Sequence, residues 1–245
     1  MFAHRGLAAV TDHSLGAPEN TLLSFAAALG VGADYCETDV HASSDGVSMI
    51  SHDPSLARVA DRDGDVNDFT AAELSRIDLG DGQGFPTLAE TLDAFPETRF
   101  NIDLKSADAV QPTVDAILAA NAVSRVLVTS FSERRRLAAV RQLPGVATSA
   151  GAARIAATVA AGRLGVGPVL RRVLRGVDAV QVPMNYGRLA ITTPPMISRL
   201  HAAGVEVHVW TINDESTMHA LLDLGVDGLI TDRADLAMAV VDSRA

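Results

Sequence analysis

Glu37 and Asp39 lie two residues apart in Ala33-Asp34-Tyr35-Cys36-Glu37-Thr38-Asp39-Val40, a segment that reads as a short strand. Strand side chains alternate faces, so Tyr35, Glu37 and Asp39 share one face while Cys36, Thr38 and Val40 share the other. Two acids on one face of a buried strand are costly unless a cation, a base or a substrate proton answers them. A third acid comes from Asn101-Ile102-Asp103-Leu104-Lys105, where alternation puts Asn101, Asp103 and Lys105 on one face. Two arrangements answer three converging carboxylates: a ring of ion pairs with Arg5 and Lys105, or a hard divalent cation. The excess of acid over nearby base favours the cation, and oxygen ligands suit Mg²⁺ or Ca²⁺ rather than zinc. His4 and His52 each suit a purely structural contact when taken alone. Beside a metal and two basic residues they read as an acid/base pair.

Repeated strand and helix patterns supply the elements that hold these residues. Strands are expected at 2–4, 34–40, 100–105, 126–130, 146–149, 179–183, 205–211 and 228–231, with an extra strand at 47–51 that delivers His52. Helical periodicity follows Pro18-Glu19-Asn20-Thr21, with Pro18 suited to the first turn, and recurs from Pro86 to before Pro96. It continues near 109–120, 132–141, 151–163, 194–203, 215–223 and 233–242. Thr70 with Glu73, and Thr87 with Glu90, fit capping boxes. Eight strand–helix units in 245 residues fit an α/β protein with a closed (β/α)₈ TIM barrel, an open doubly wound sheet being the competitor. The length points to one domain over 1–245, with a polar Asp- and Gly-rich insertion at about 55–85 as a potential lid.

In such a barrel the C-terminal strand ends line the active site. His4, Arg5, Glu37, Asp39, Asp103, Lys105 and Trp210 all fall there. Trp210 suits either a substrate contact or a core role, and His208 a structural position deeper on the same strand face. His13 and His41 are expected in loops, His201 and His219 on helices. Glu19 suits either an acid near a helix N-terminus or a partner that holds Arg5 or a histidine.

Composition removes other classes. Hydrophobic residues make up 48% and aromatics 4%, as expected for small helices packed on buried strands. A net charge of −10 argues against non-specific nucleic-acid binding. Neither GxGxxG after the first strand nor GxxxxGK[ST] occurs, so those nucleotide loops have no support. Cys36, the sole cysteine, excludes an intrachain disulfide and reads as a small buried hydrophobe. The first motif starts at Met1-Phe2-Ala3-His4, which leaves no room for a signal peptide and implies a cytoplasmic location. The Ala-rich run 146–174 is interrupted by Arg154, Arg163 and glycines, so no stable membrane insertion is expected. Basic clusters at Glu133-Arg134-Arg135-Arg136 and Arg171-Arg172-Val173-Leu174-Arg175 read as solvated helix faces, an anionic partner or membrane surface being the alternative.

His4-Arg5-Gly6, Pro18-Glu19-Asn20-Thr21, Glu37-Thr38-Asp39-Val40, His52-Asp53, Pro86-Thr87-Leu88-Ala89-Glu90, Asn101-Ile102-Asp103-Leu104-Lys105, Trp210-Thr211-Ile212-Asn213 and Asp227-Gly228-Leu229-Ile230-Thr231-Asp232 together resemble the glycerophosphodiester phosphodiesterase family. The motifs span nearly the whole chain, in family order. The resemblance implies a TIM barrel with a small insertion after the second strand. It also implies a metal-dependent hydrolase of lipid and glycerol metabolism that releases sn-glycerol 3-phosphate and an alcohol from small glycerophosphodiesters. By it, His4 and His52 are the acid/base pair acting through a cyclic phosphate, and Glu37, Asp39 and Asp103 hold one cation. Arg5 and Lys105 bind phosphate; Glu19, as a holder of Arg5 or a histidine, and Trp210, as a contact for the glycerol or the leaving group, join the substrate site on the reading of the residues alone. Asp103 departs from the family's usual Glu by one methylene. The alternatives are a phospholipase D-like enzyme on lysophospholipid or sphingomyelin, and a non-catalytic phosphate-ligand binding barrel.

Overall fold

The computed structural model describes residues 1–8, 17–187 and 189–244. Eight parallel strands form the barrel: β1 (Phe2–His4), β2 (Tyr35–Ala42), β4 (Arg99–Leu104), β5 (Val126–Thr129), β6 (Ala147–Thr148), β7 (Ala179–Pro183), β10 (Glu206–Trp210) and β11 (Gly228–Thr231). Pairing runs β6-β5-β4-β2-β1-β11-β10-β7, and β3 (Ser48–Ile50) adds antiparallel to β2. The ring closes between β6 and β7, where Ser149 bridges Ala179 in parallel and the Ala150 amide donates to the Ala179 carbonyl at 3.0 Å. All eight expected barrel strands and the extra one are present.

Alternation sorts the strand residues as periodicity predicts. Cys36 and Val40 on β2, and Phe100, Ile102 and Leu104 on β4, are buried against the surrounding helices α1 (Leu22–Gly30), α4 (Leu88–Ala94) and α5 (Val110–Ala119). This apolar shell pushes the Cys36 thiol up to about 12, mainly by burial, so the thiol stays neutral. A second shell packs β7, β10 and β11 against α7 (Ala152–Arg163), α8 (Gly167–Val173), α9 (Pro194–His201), α10 (Glu215–Asp223) and α11 (Ala234–Asp242). Inside the barrel, Phe2 stacks on Tyr35 with ring centroids 4.5 Å apart and meets His208 at a tilt, with centroids 4.6 Å apart. This aromatic floor closes the N-terminal end and gives the barrel mouth to polar residues. His208 is buried in it, in the deep position expected.

Several local expectations are corrected. α1 begins at Leu22, not at Pro18; Thr21 is its N-cap and forms a capping box with Ser24. Pro18 instead shapes the approach, where its carbonyl accepts from the Thr21 hydroxyl at 2.7 Å. Thr70 and Glu73 form the expected box at the start of α3 (Ala71–Leu74). At Thr87 only the forward half is described, the Glu90 amide donating to the Thr87 hydroxyl at 3.0 Å. His41 lies in β2 rather than a loop, because β3 extends the ladder to Ala42. His13 lies outside the described residues. α8 and the hairpin of β8 (Asn185–Tyr186) with β9 (Leu189–Ala190) have no strong periodic signal, being seven and two residues long.

The insertion carries its own small core. Met49, Leu56, Val66, Leu74, Ile77 and Phe85 pack together, with α2 (Ala57–Ala60) on the side that faces His52 and Glu19. No helix among the described residues is long and apolar enough to cross a membrane.

Candidate active site

The mouth is built from the C-terminal ends of β1, β2, β4, β10 and β11 and the loop after β3. Register places Asp39 opposite Asp103 and Glu37 opposite Asn101, so the acids of neighbouring strands stand level. His4 pairs with Glu37 across β1 and β2. After His4 the chain turns sharply: Arg5 has φ +59° and Gly6 φ +80°. A Cβ on Gly6 would run into Ser24, so glycine is needed both for the dihedral and for the close approach to α1.

Each expected histidine is held by a carboxylate at Nδ1. His4 Nδ1 lies 2.6 Å from Asp232 Oδ1 and His52 Nδ1 lies 2.7 Å from Asp53 Oδ1. This turns Nε2 of both rings away from those carboxylates, His4 Nε2 lying 3.9 Å from Glu37 Oε2, the orientation an acid/base group needs. Burial lowers the His4 pKa, but the Asp232 hydrogen bond and the charges of Glu37 and Asp232 outweigh it, and the net shift is upward. Asp232 is itself latched by Asn213, whose Nδ2 donates to it at 2.7 Å and whose Oδ1 accepts from the Asp232 amide at 2.9 Å. The Trp210-Thr211-Ile212-Asn213 motif thereby acts on the Thr231-Asp232 motif.

Arg5 and Glu19 meet as one of the two expectations for Glu19 has it, at 3.0 Å. Glu19 precedes the N-cap Thr21, which removes the helix-terminus reading. Asn20, also left-handed at φ +58°, donates to Asp39 at 3.3 Å and accepts from Thr38 at 2.9 Å. The Pro18-Glu19-Asn20-Thr21 motif thus divides into an ion-pair residue, a support for Asp39 and a helix cap.

The three acids meet unevenly. Lys105 Nζ lies 2.7 Å from both Asp39 Oδ1 and Asp103 Oδ2, so the chain's only lysine bridges two of them. Burial alone would raise the Asp39 pKa; Lys105, His52 and Arg5 reverse this and lower it. Asp103 is raised, burial outweighing Lys105. Glu37 has no cation so close: His4 Nε2 lies 3.9 Å from its Oε2, and the Arg5 amide donates to that oxygen at 3.1 Å. Burial, then the charge of Asp39, push it up to about 8.

Among the described residues no group of three or more His, Cys, Asp or Glu side chains is drawn together tightly enough to hold an ion. The expected Glu37, Asp39 and Asp103 set therefore faces one cavity mouth without enclosing a cation-sized space, because Lys105 stands between Asp39 and Asp103. The donor chemistry does fit a hard divalent cation. Asp103 Oδ1 is buried with no hydrogen-bond partner, and Glu37 is a buried acid that no lysine or arginine side chain among the described residues pairs with.

Trp210 is half-buried at the rim and meets Phe131 edge-on at 6.1 Å. Phe131 is 59% exposed and Lys105 Nζ sits 5.9 Å from its ring, so an aromatic corner adjoins the charged pocket. A cavity of about 360 Å³ at the far end of the barrel, lined by Asp93, Glu97, Arg99 and Arg125, is remote from this chemistry. Arg125 is spent there on the carbonyls of Leu92, Phe95 and Thr98.

Sequence reasoning missed Asp53, Asp232, Asn20, Asn213 and Arg58. The first four lie inside motifs that single out other residues. Arg58 of α2 has no motif, yet its Nε reaches Asp53 at 2.5 Å and its Nη atoms reach Glu19 at 2.6 and 2.9 Å. It ties the insertion to His52 through Asp53 and to Arg5 through Glu19. Asp53 is shifted downward, burial being outweighed by His52 and Arg58.

The sequence profile of the glycerophosphoryl diester phosphodiesterase family matches residues 4–236. The chain belongs to that family. It is 43% identical to the probable glycerophosphodiester phosphodiesterase 2 of Mycobacterium tuberculosis, over 99% of this chain and 90% of that one. A glycerophosphodiester phosphodiesterase of Bacillus subtilis is 30% identical over 96% of this chain and 83% of its own. Among solved structures, an Oleispira antarctica phosphodiesterase in complex with the product sn-glycerol-3-phosphate superposes with a TM-score of 0.78 at 25% identity, covering 98% and 96% of the two chains. The glycerophosphodiester phosphodiesterase from Agrobacterium tumefaciens gives 0.79 at 25% identity, over 98% of both. The sequence resemblance and the barrel fold are both borne out.

Proposed function

We propose that this protein hydrolyses small glycerophosphodiesters to sn-glycerol 3-phosphate and an alcohol, at the barrel mouth between His4 and His52. The observation that carries the reading is the pair of histidines, each fixed at Nδ1 by its own carboxylate with Nε2 turned away from it, beside a cluster of acids and two cations. Relatives named glycerophosphodiester phosphodiesterases and a neighbour bound to sn-glycerol-3-phosphate support the substrate class.

Arg5 and Lys105 are the groups for the phosphate oxygens. A phosphodiester anion gains negative charge toward its transition state, and these fixed cations oppose it. One histidine takes the proton of the glycerol 2-hydroxyl as that oxygen bonds to phosphorus; the other gives a proton to the departing alcohol as its P–O bond breaks. A cyclic phosphate results. Water then adds to phosphorus, the ring oxygen leaves with a proton, and the two histidines exchange roles. Glu37, Asp39 and Asp103 would hold one divalent cation, Mg²⁺ or Ca²⁺. When bound, such an ion supplies Lewis-acid stabilisation of phosphoryl oxygens. Glu19 and Asp53 keep Arg5 and His52 in place, and Trp210 flanks the pocket.

The test is release of sn-glycerol 3-phosphate from a panel of glycerophosphodiesters, including one that lacks the free 2-hydroxyl, by wild type and His52→Ala. Turnover should require both the hydroxyl and His52. Equal rates with the deoxy substrate would remove the cyclic intermediate. No turnover on any member would favour a binding protein.

A further inference from the structure

Charge is divided unevenly over the molecule. Residues 134–177 hold nine arginines and none of the chain's 30 acidic residues, in a protein of net charge −10. This stretch contains α6 (Glu133–Val140) after its first residue, then β6, α7 and α8. Part of that charge is used internally. Arg136 is buried against Glu133 and Thr148, and Arg154 pairs with Glu133. Arg163, Arg171, Arg172 and Arg175 are different: they are exposed and, among the described residues, meet no carboxylate.

The same elbow exposes apolar side chains. Leu164, Val166 and Val169 are 78%, 40% and 46% exposed, whereas elsewhere in the described residues only Leu23, Leu118 and Phe131 are large hydrophobics exposed to a comparable degree. They are not misplaced core. Leu170 and Leu174 turn inward and anchor α8 in the second apolar shell, which leaves the three on the outside. Arg163 donates to the Ala190 carbonyl at 3.2 Å, and Ala190 lies in the hairpin that follows the C-terminal end of β7. The elbow therefore abuts a loop from the mouth side of the barrel.

We propose that the α7–α8 elbow is a peripheral docking surface for an anionic lipid bilayer. Arg163, Arg171, Arg172 and Arg175 would meet the headgroups, and Leu164, Val166 and Val169 the boundary with the acyl chains. Basic residues alone describe an ordinary solvated helix face. The interleaved apolar residues and the acid-free stretch distinguish this one. A nucleic acid fits less well, since the exposed large hydrophobics that accompany these arginines among the described residues, Leu164, Val166 and Val169, are aliphatic and offer no ring for base stacking. Attachment would be reversible, because a few apolar side chains and four charges fall far short of a spanning helix. The proposal goes beyond the hydrolytic reading and does not depend on it.

The full chain is tested by co-sedimentation with vesicles of phosphatidylcholine alone and of phosphatidylcholine mixed with phosphatidylglycerol, at low and high salt. Binding is expected on the anionic vesicles only, and loss of most of it at high salt. The triple variant Arg171→Gln/Arg172→Gln/Arg175→Gln should weaken partitioning about a hundredfold, each basic residue contributing about a factor of five. Leu164→Ser/Val169→Ser should weaken it further at both salt concentrations. Hydrolysis of a water-soluble substrate should be unchanged in all variants, which also reports that they fold. If a variant does not fold, the wild-type comparison across lipid and salt decides alone. Equal binding to both vesicle types, or binding to neither, overturns the proposal. Capture of an oligonucleotide without any vesicle binding also overturns it and assigns the arginines to nucleic acid.

Discussion

Replacing Arg58 by glutamine removes three charge-assisted hydrogen bonds at once, one to Asp53 and two to Glu19. The Arg58 side chain is 49% exposed, so each ion pair is worth only ~0.2–1 kcal/mol and the stability loss is expected at ~1–2 kcal/mol. For a chain of this size that lowers Tm by ~2–8 °C. The effect on catalysis should be larger. Without Arg58, Asp53 loses one restraint on its hold over His52 Nδ1, and Glu19 loses the pair that fixes it against Arg5. Displacing an acid/base group by about 1 Å costs on the order of 100-fold. Since Asp53 still contacts His52, kcat is expected to fall about 10- to 100-fold with a smaller change in KM. Steady-state kinetics on Arg58→Gln, Arg58→Lys, Asp53→Asn and the double variant Arg58→Gln/Asp53→Asn provide the assay. Lysine should rescue Tm more than kcat, because it lacks the planar fork. The double variant should show a coupling of ~1–2 kcal/mol, as residues that share a contact do. A kcat within about twofold of wild type, with only Tm lowered, would make Arg58 a strut and refute the reasoning.

Other perturbations follow from single contacts. Asp232→Asn should lower kcat by at least about 100-fold, because an amide at His4 Nδ1 can favour the wrong tautomer; an unchanged rate would remove Asp232 from the orienting role. Gly6→Ala should cost at least ~2 kcal/mol, since φ is +80° and a Cβ meets Ser24, and thermal unfolding at the wild-type Tm would contradict it. Glu133→Gln leaves the buried Arg136 without its carboxylate and should cost about 2–3 kcal/mol near neutral pH. The Glu133 pKa is lowered, the Arg136 and Arg154 contacts outweighing burial. Its contribution is therefore full above the unfolded carboxylate value and fades as pH falls through the lower folded one. The Tm gap between wild type and this variant should close in acid; a constant gap would show that charge is not the cause.

The barrel is legible because each buried strand is a compact apolar run and each helix keeps its period. Alternation also suffices to put Glu37, Asp39 and Asp103 toward one space, and register then sets Asp39 level with Asp103. Strand spacing carries no information on how side chains divide their partners. Lys105 shares Glu37's side of the barrel by alternation, yet it bridges Asp39 and Asp103 and leaves Glu37 with the more distant His4. Arg58 is invisible in sequence for a different reason. Its bond to Glu19 spans 39 positions and depends on how the insertion packs on its own core, which no local period encodes. Pro18 misplaces the start of α1 because a proline suits both a first helical turn and the extended approach to a capped one.

The most direct test of the central claim is sn-glycerol 3-phosphate release from a glycerophosphodiester after chelation, followed by readdition of Mg²⁺ or Ca²⁺, for wild type and Asp39→Asn. The account predicts that chelation abolishes wild-type turnover, that one of the two ions restores it, and that Asp39→Asn responds to neither. Full turnover in chelator, or restoration of Asp39→Asn to the wild-type rate, would contradict it.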